Sequence, residues 1–427
     1  MRKAIVLGGY GLIGAACARG LVCAGYSVLC VGRSPAAARS SGLPVSWAFH
    51  DISRMTPAQW AALIGDADVV VNASGALQSG PRDDLHGIHV RAVSRMVEAA
   101  GPGTRIIQIS AAGASEHAST EFLRGKAWGD GLIAARAADW VILRPVMVLA
   151  PEAYGGTALL RAAASAPLML PAFLPGSPVS TVHIDDLVAA VLASADGRVP
   201  SGTVADITEE GHHRLADLTA AIRRWQGFPE PVVRFSVPRS LMRAGAALAD
   251  GLSLLGWRSP LRSTALRVLE DGVMGDPSAW ADAGGPPCRP LAASLTTLPS
   301  TRQERVFARA YLLFPLAVAA LSLFWIASGL IALARPDAAL AILPAAGGVG
   351  EAVVYGGAVI DVLIGVAVLF RRWVRPAALA MISISFAYLM GSLLVAPALW
   401  VDPLGPMIKV VPATLLAAFV WLMGDER

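Results

Sequence analysis

Charged residues are scarce in this 427-residue chain: they make up 15% of the sequence, whereas hydrophobic residues make up 55%. A protein of this composition is too apolar to be a purely soluble one. The net charge of +4 is small for the length, and no run of lysine and arginine is interleaved with aromatic residues. The sequence therefore does not predict a nucleic-acid partner, and its length suits two or three domains.

Cysteine and clustered metal ligands are also rare. The four cysteines, Cys17, Cys23, Cys30 and Cys288, have neither metal-ligand spacing nor a convincing disulfide pattern. They are predicted to be free thiols, buried in apolar segments and kept in a reducing compartment. His86 and His89 stand at helical spacing without a third ligand, so a helix face is favoured there and no metal site is predicted.

Short apolar runs alternate with longer Ala-rich stretches over the first two thirds of the chain. The runs are Ala4–Leu7, Val28–Val31, Val69–Val71, Ile106–Ile109 and Val141–Leu143. This alternation is typical of βαβ units and predicts a parallel sheet. From residue 200 the pattern loosens into helical segments and ends in a Pro/Gly-rich stretch before residue 300, which predicts a linker.

Three glycines follow the first apolar run in the stretch "GGYGLIG". Gly8 permits a tight turn, Gly11 lets the backbone approach a diphosphate, and Gly14 lets the next helix pack close to the sheet. Tyr10, Leu12 and Ile13 complete this turn, and the helix that it opens would offer free N–H groups to phosphates. The stretch predicts a dinucleotide site.

The second predicted strand ends in Gly32-Arg33-Ser34, where a site that prefers NAD normally carries an acidic residue. An arginine suits a 2′-phosphate, so NADP is favoured as the cofactor and NAD stays possible. The alternative is that Arg33 is a surface residue in a turn.

Five motifs in order resemble those of the extended or atypical short-chain dehydrogenase/reductases, the epimerase/dehydratase-like branch, over residues 1 to about 230. They are "GGYGLIG", "HDI" at 50–52, "DVVVNASG" at 68–75, "ILRPVMV" at 142–148 and "VSTVHIDDLVAAV" at 179–191. The resemblance implies a Rossmann-type, doubly wound parallel sheet. It also implies cofactor contacts from Asp51, Ile52, Asn72, Ser74, Gly75 and Pro145. At the start of the last motif, Asp185 and Asp186 are read as helix-capping residues, with catalysis as the alternative.

The catalytic pair of that superfamily is incomplete. Its usual tyrosine stands four residues before a lysine, which lowers the pKa of the phenol and holds the ribose. Here the lysine is Lys126, but the tyrosine position holds Phe122. The hydroxyl partner is also replaced, by Ala111 and Ala112, which leaves Ser110 as a substitute or as a strand-end hydrogen bonder. We expect cofactor binding and predict Lys126 and Ser110 as candidate catalytic residues.

Four long apolar stretches fill the last third of the chain, at 311–333, 352–370, 377–400 and 403–423. Each is long enough to cross the hydrocarbon core as a helix. Arginines lie just before the first stretch and in the connection between the second and third stretches. They place the N-terminal domain and both termini in the cytoplasm of a bacterium, with four spans in its inner membrane. The first residues could also be read as a signal peptide, but this charge pattern favours retention without cleavage.

Residues from about 302 resemble the DoxX-like family of four-helix membrane modules, on the stretches "ARAYLLFPLAVAALSLFWIASGL", "GGAVIDVLIGVAVL" and "LGPMIKVVP". Two charged residues, Asp361 and Lys409, fall within the spans, where they need a partner or a function. We expect them to meet as an ion pair. The pair would either hold helices together or, with Glu351 and Tyr355, line a pocket for a quinone or lipid headgroup or a proton path.

The sequence therefore predicts three parts: a Rossmann domain at 1–230, a small helical extension and linker on the substrate side at 231–300, and an all-α four-helix transmembrane bundle at 301–427. Three functions stay open. The first is a membrane-anchored NADP(H)-dependent oxidoreductase or epimerase acting on a small, hydrophobic substrate. The second is a non-catalytic, NADP(H)-binding sensor or structural module of a membrane redox complex. The third passes electrons from NADPH to a quinone, for which no flavin, haem or iron–sulfur motif is present. No protein partner is predicted.

Overall fold

The computed structural model describes residues 1–78, 80, 84–257, 259–342 and 348–424. They divide into two compact units. The first comprises Met1–Asp250 and Ser259–Arg305, and the second comprises Gly251–Arg258 and Val306–Arg427. The predicted division into three parts stays a prediction.

The strands are β1 (Lys3–Leu7), β2 (Ser27–Gly32), β3 (Ser46–Phe49), β4 (Val69–Asn72), β5 (Arg105–Ile109), β6 (Asp139–Pro145), β7 (Met147–Leu149), β8 (Met169–Ala172), β9 (Pro178–Val179), β10 (Thr181–His183), β11 (Thr203–Ile207), β12 (His213–Arg214) and β13 (Val233–Ser236). Every predicted apolar run lies in a strand, because such runs suit strands that are buried on both faces.

The helices of the first unit are α1 (Leu12–Cys23), α2 (Pro35–Ser40), α3 (Pro57–Ile64), α4 (Ala92–Ala99), α5 (Glu121–Arg136), α6 (Gly155–Ala164), α7 (Ile184–Ala195), α8 (Leu215–Trp225), α9 (Arg239–Leu254), α10 (Ser263–Asp271), α11 (Ser278–Asp282) and α12 (Leu291–Thr297). A π-helical turn at Gly87–Arg91 runs directly into α4. Helix α9 continues into the second unit.

Seven parallel strands form the central sheet in the order β11-β6-β5-β4-β1-β2-β3. Helices α1 and α7 cover one face through residues such as Cys17, Leu21 and Leu187, and α3, α4 and α5 cover the other. The fold is the predicted doubly wound sheet. The strand order reverses between β1 and β4, and ligands of such sheets bind at the carboxyl ends of the strands beside this point.

The stretch predicted as a linker is folded. Trp280 of α11, Leu291 of α12 and Leu298 are buried in the first unit, and the Trp280 indole donates to the carbonyl of Pro286 at 2.9 Å. Proline and glycine indicate breaks between elements, but here those breaks separate two short packed helices.

The last five helices are α13 (Arg302–Ala334), whose residues from Val306 belong to the second unit, and α14 (Pro336–Leu340), α15 (Gly348–Ala367), α16 (Val374–Val395) and α17 (Pro406–Met423). The second unit also has 3-10 turns at Arg371–Trp373 and Pro397–Trp400. Among the described residues, four helical segments are long and apolar enough to cross a membrane: Arg302–Ala334, Gly348–Ala367, Arg371–Val395 and Pro406–Met423. Glycine allows close helix contact, since a Cβ at Gly329 of α13 would overlap the Ala358 carbonyl of α15.

Candidate functional site

The glycine turn lies at the strand-order reversal, directly after β1. Gly8 has a φ of 78°, and a Cβ there would lie 2.9 Å from the Ala73 carbonyl oxygen that follows β4. The N–H groups of Gly8 and Gly9 both donate to the carbonyl of Val31, at 3.0 and 3.1 Å. The turn is thus fixed between three strand ends, and only glycine fits position 8 without strain.

Helix α1 begins immediately after the turn, with Gly11 as its N-cap. Gly11 has no side chain to bond the first N–H groups, and the first turn carries no acidic residue. A Cβ at Gly14 would overlap the Gly8 carbonyl oxygen. The backbone therefore forms a cradle of free N–H groups at the positive end of a 12-residue helix, which fits a diphosphate.

An aromatic group closes the far end of β2. The Tyr10 hydroxyl oxygen accepts the Arg33 N–H at 3.0 Å, and the Tyr10 ring lies over Gly32, where a Cβ would overlap it. Tyr10 stacks on Trp47 at a centroid distance of 6.1 Å. Arg33 is exposed, and the Ser34 hydroxyl accepts the Ala37 N–H at the start of α2.

Asp51 and Ile52 follow β3. One Asp51 carboxylate oxygen accepts the Ser53 N–H at 3.1 Å and the Ser53 hydroxyl at 2.7 Å. The other oxygen lies 3.8 Å from the exposed Arg54 guanidinium. The carboxylate thus shapes its own turn, while Ile52 is half-buried beside it.

At the end of β4, the Asn72 side chain orders the following loop. It donates to Gln108 of β5 at 2.8 Å and accepts both the N–H and the hydroxyl of Ser74. A Cβ on Gly75 would lie 3.3 Å from the His89 ring and 3.5 Å from the Lys126 ammonium. Asn72 and Ser74 therefore hold the loop that lies against Lys126.

The Lys126 side chain is buried on α5. Its ammonium donates to the carbonyls of Ile109 at 2.8 Å and Ser74 at 3.3 Å. Burial lowers the pKa of Lys126 to about 8, and the nearby Asp130 carboxylate opposes this shift. Because an ammonium has three N–H donors, one donor remains for a further acceptor such as a ribose hydroxyl.

Phe122 lies one turn before Lys126, where the sequence resemblance implies a tyrosine. Its ring meets the His89 ring edge-on, at a centroid distance of 5.7 Å. His89 is buried in the π-helical turn, and its Nε2 lies 3.0 Å from the Ala76 carbonyl. Burial, with a smaller effect of Lys126, lowers the pKa of His89 to about 3, so this imidazole is neutral at physiological pH.

Ser110 is part of a buried polar group behind the site. Its hydroxyl donates to Asp130 at 2.7 Å, and the same carboxylate oxygen accepts two bonds from Arg144, at 2.9 and 3.1 Å. Burial raises the pKa of Asp130, and the bonds from Ser110 and Arg144 oppose it. Pro145 is buried at the end of β6, where its carbonyl accepts the Ala112 N–H.

A cavity of about 270 Å³ adjoins this site. Its lining residues are Leu77, Gln78, Leu85, Glu121, Phe122, Asp250, Arg262, Ser263 and Thr264. Helices α9 and α10 bring the ion pair between Asp250 and Arg262, 2.9 Å long, to the Phe122 side of α5. The sequence offered no motif for this wall.

Other candidates lie apart from the site. His183 caps α7 by accepting the Asp185 N–H, and Asp186 pairs with Arg289 at 2.8 Å. Within the described ranges, three or more His, Cys, Asp or Glu side chains nowhere form a group that could hold a metal ion. Cys17, Cys30 and Cys288 are buried, whereas Cys23 is exposed.

Comparison with known proteins supports both halves of this architecture. Residues 8–168 match a family model described as NAD(P)H-binding, and residues 322–418 match the DoxX-like family. The chain combines an NAD(P)H-binding domain with a DoxX-like domain. None of the curated proteins compared with it is similar in sequence.

Solved structures show the fold of the NAD(P)H-binding domain. One is the Bordetella bronchiseptica enzyme WbmH in complex with NAD+, at 18% identity and a TM-score of 0.52, covering 70% of this chain and 97% of that one. A putative epimerase from Burkholderia cenocepacia has 18% identity, a TM-score of 0.53, and coverages of 72% and 98%. MoeE5 in complex with UDP-glucose and NAD has 16% identity, a TM-score of 0.51, and coverages of 73% and 100%. The domain thus has a short-chain dehydrogenase/reductase-like, epimerase-type fold.

Among the described residues of the DoxX-like domain, one charged residue is buried, Asp361 of α15. Asp361 accepts hydrogen bonds from the hydroxyls of Tyr388 at 2.9 Å and Ser328 at 3.4 Å. The expected pair with Lys409 is wrong, because Lys409 is exposed on α17 and α17 packs on α16. Together with its four apolar helices, the DoxX-like domain indicates a membrane protein.

Proposed function

We propose that this chain is a membrane-anchored NADP(H)-binding protein that holds its dinucleotide without the tyrosine–lysine proton transfer of the superfamily. One observation carries the proposal: Phe122 occupies the tyrosine position beside a buried, bonded Lys126. The cradle between Gly8 and Gly14 fits the diphosphate, and the third N–H of Lys126 suits the ribose. When bound, the nicotinamide would supply hydride chemistry.

The cofactor preference rests on the end of β2. Gly32, Arg33 and Ser34 provide no carboxylate for the ribose hydroxyls, and Arg33 is exposed beside the Tyr10 hydroxyl. Tyr10 accepts the Arg33 N–H and keeps its own hydroxyl proton, which can be donated to a phosphate oxygen. The missing carboxylate, Arg33 and the Tyr10 hydroxyl together favour a 2′-phosphate, and therefore NADP over NAD.

Binding and turnover can be measured on the full chain in detergent. NADPH and NADH are titrated by cofactor fluorescence, and NADPH absorbance is then followed against aldehydes, ketones, sugar nucleotides and quinones. We expect binding, with NADPH tighter, and no turnover. Arg33→Asp should reverse the preference, with Arg39→Asp, a neighbouring exposed arginine on α2, as its control. Turnover that disappears in Lys126→Ala while binding persists would refute the non-catalytic part.

The cavity beside Phe122 favours a second candidate, an oxidoreductase or epimerase acting on a small molecule. A substrate in that cavity would lie against the Phe122 ring and the ion pair of Asp250 and Arg262. The double variant Ala112→Ser/Phe122→Tyr restores both missing hydroxyls. Activity that appears only in this variant would support the first candidate for the natural chain, and activity in the unmodified chain would support the second.

We further propose the inner-membrane orientation that the flanking arginines favour, with the NAD(P)H-binding domain in the cytoplasm. Cys23 provides the test, because its thiol is exposed whereas burial raises the pKa of Cys17, Cys30 and Cys288 to about 12. A membrane-impermeant maleimide should label Cys23 only after the cells are opened. Labelling in intact spheroplasts would contradict this orientation.

A further inference from the structure

Helix α9 presents an exposed apolar stripe. Leu241 and Leu248 have exposures of 62% and 65%, and the half-buried Leu252 continues the stripe four residues later. Residues seven or eleven positions apart lie within about 20° of each other around a helix. The stripe therefore runs along most of α9, next to the side that is packed through Ala246 and Ala249.

The third side of the same helix is charged. Arg239 and Arg243 lie one turn apart on it; the Arg243 side chain is 70% exposed and lies 3.8 Å from Glu270 of α10, and Asp250 on the same side pairs with Arg262. A helix with leucines on one side and arginines on another is typical of segments that lie in the boundary between water and a bilayer. The arginines and the leucine stripe of α9 thus suit a lipid surface with phosphate headgroups.

The chain that follows α9 is fixed to one end of the membrane helices. The Leu255 carbonyl accepts the Arg371 N–H at 3.0 Å, and the Trp257 indole donates to the Leu369 carbonyl at 2.6 Å. Leu369 and Arg371 lie in the short connection between α15 and α16. A connection between consecutive spans lies at a membrane surface, where tryptophan is also enriched. The end of α9 is therefore within a few residues of that surface.

We propose that α9 lies along this membrane surface, with its leucine stripe at the boundary of headgroups and acyl chains and its arginines among the lipid phosphates. A 16-residue helix would cover about 24 Å of the surface. The occupant of the stripe is thus the bilayer that the chain's own spans cross.

The test uses the full chain in nanodiscs, in a Cys23→Ser background. Leu248→Cys carries an environment-sensitive fluorophore, and Ala247→Cys, exposed about 100° further around α9, carries the same label as a matched control. We expect doxyl-labelled lipids to quench the Leu248 label several-fold more than the Ala247 label, and aqueous iodide to do the reverse. Equal quenching at both positions would overturn the proposal.

Two further outcomes separate the alternative occupants. If a second copy covers the stripe, the Leu248 label is protected from iodide in detergent as well, and Leu248→Cys forms disulfide-linked dimers; this result would overturn the proposal. If the arginines bind lipid phosphates, Arg239→Gln/Arg243→Gln weakens lipid quenching of the Leu248 label in anionic nanodiscs, which would support it. Because both arginines and Leu248 are exposed, these variants should fold.

Discussion

The burial of Lys126 predicts a dependence of stability on pH that can be worked out from the structure. Lys126 is 5% exposed, and burial lowers its pKa from the ordinary 10.5 to about 8. At 1.36 kcal/mol per pKa unit, the buried ammonium costs the folded state about 3 kcal/mol. Removing the charge should relieve that cost.

The direction of this pH dependence follows from the lowered pKa of Lys126 in the folded chain. Below pH 8 both the folded and the unfolded chain carry the proton, so the whole cost is present. Between pH 8 and 10.5 the unfolded chain binds more protons than the folded one, so the free energy of unfolding rises with pH in this window. Above it the amine is neutral in both states and the cost is gone.

The assay compares wild type with Lys126→Met by thermal unfolding in detergent from pH 7 to 10. Methionine cannot donate hydrogen bonds to the carbonyls of Ile109 and Ser74. The loss of these bonds changes the Tm of the variant by an amount that does not depend on pH. The Tm of wild type relative to the variant should therefore rise with pH, by on the order of 5 °C. Lys3→Met is the control, since Lys3 is an exposed partner of Asp66. Parallel Tm curves for wild type and Lys126→Met would refute the reasoning.

Two more predictions concern the cradle and the membrane domain. Gly14→Ala should weaken NADPH binding roughly 10- to 100-fold, because its Cβ would overlap the Gly8 carbonyl, whereas Gly131→Ala, with open space at its Cβ, should bind normally in the same titration. Tyr388→Phe removes one of the two hydroxyl donors of Asp361 and should destabilise the DoxX-like domain by about 1–3 kcal/mol, measured by unfolding in detergent, while Phe386→Leu, an exposed neighbour on α16, should change little.

The sequence predicts those features whose signal is local. Each strand of the sheet up to β6, except β3, coincides with an apolar run, and the glycine turn is defined by three residues within one short stretch. The four membrane spans are also predicted from local sequence, because a run of about 20 apolar residues can be recognised without knowledge of the rest of the chain. Side-chain partners distant in sequence have no such signal.

The contact between His89 and Phe122 is one that the sequence could not predict. His89 is read from the sequence as one residue on a helix face, and only the fold brings its ring against α5, 33 positions further along the chain. Asp130 could have been found, since it lies one turn after Lys126 on the same helix and a buried ammonium favours a nearby carboxylate. Tyr388 could not, because the partner of Asp361 depends on which helices are neighbours.

In the proposed function, cofactor binding by Lys126 is separated from the proton transfer that a tyrosine–lysine pair would perform. Lys126 keeps the position and the spare N–H that suit a ribose, but the group one turn away is a phenyl ring packed on a neutral imidazole. Neither Phe122 nor His89 can release a proton at neutral pH, so a substrate bound next to them would have to take its proton from the Lys126 ammonium or from solvent. Lys126 is therefore the side chain to substitute first if turnover is found.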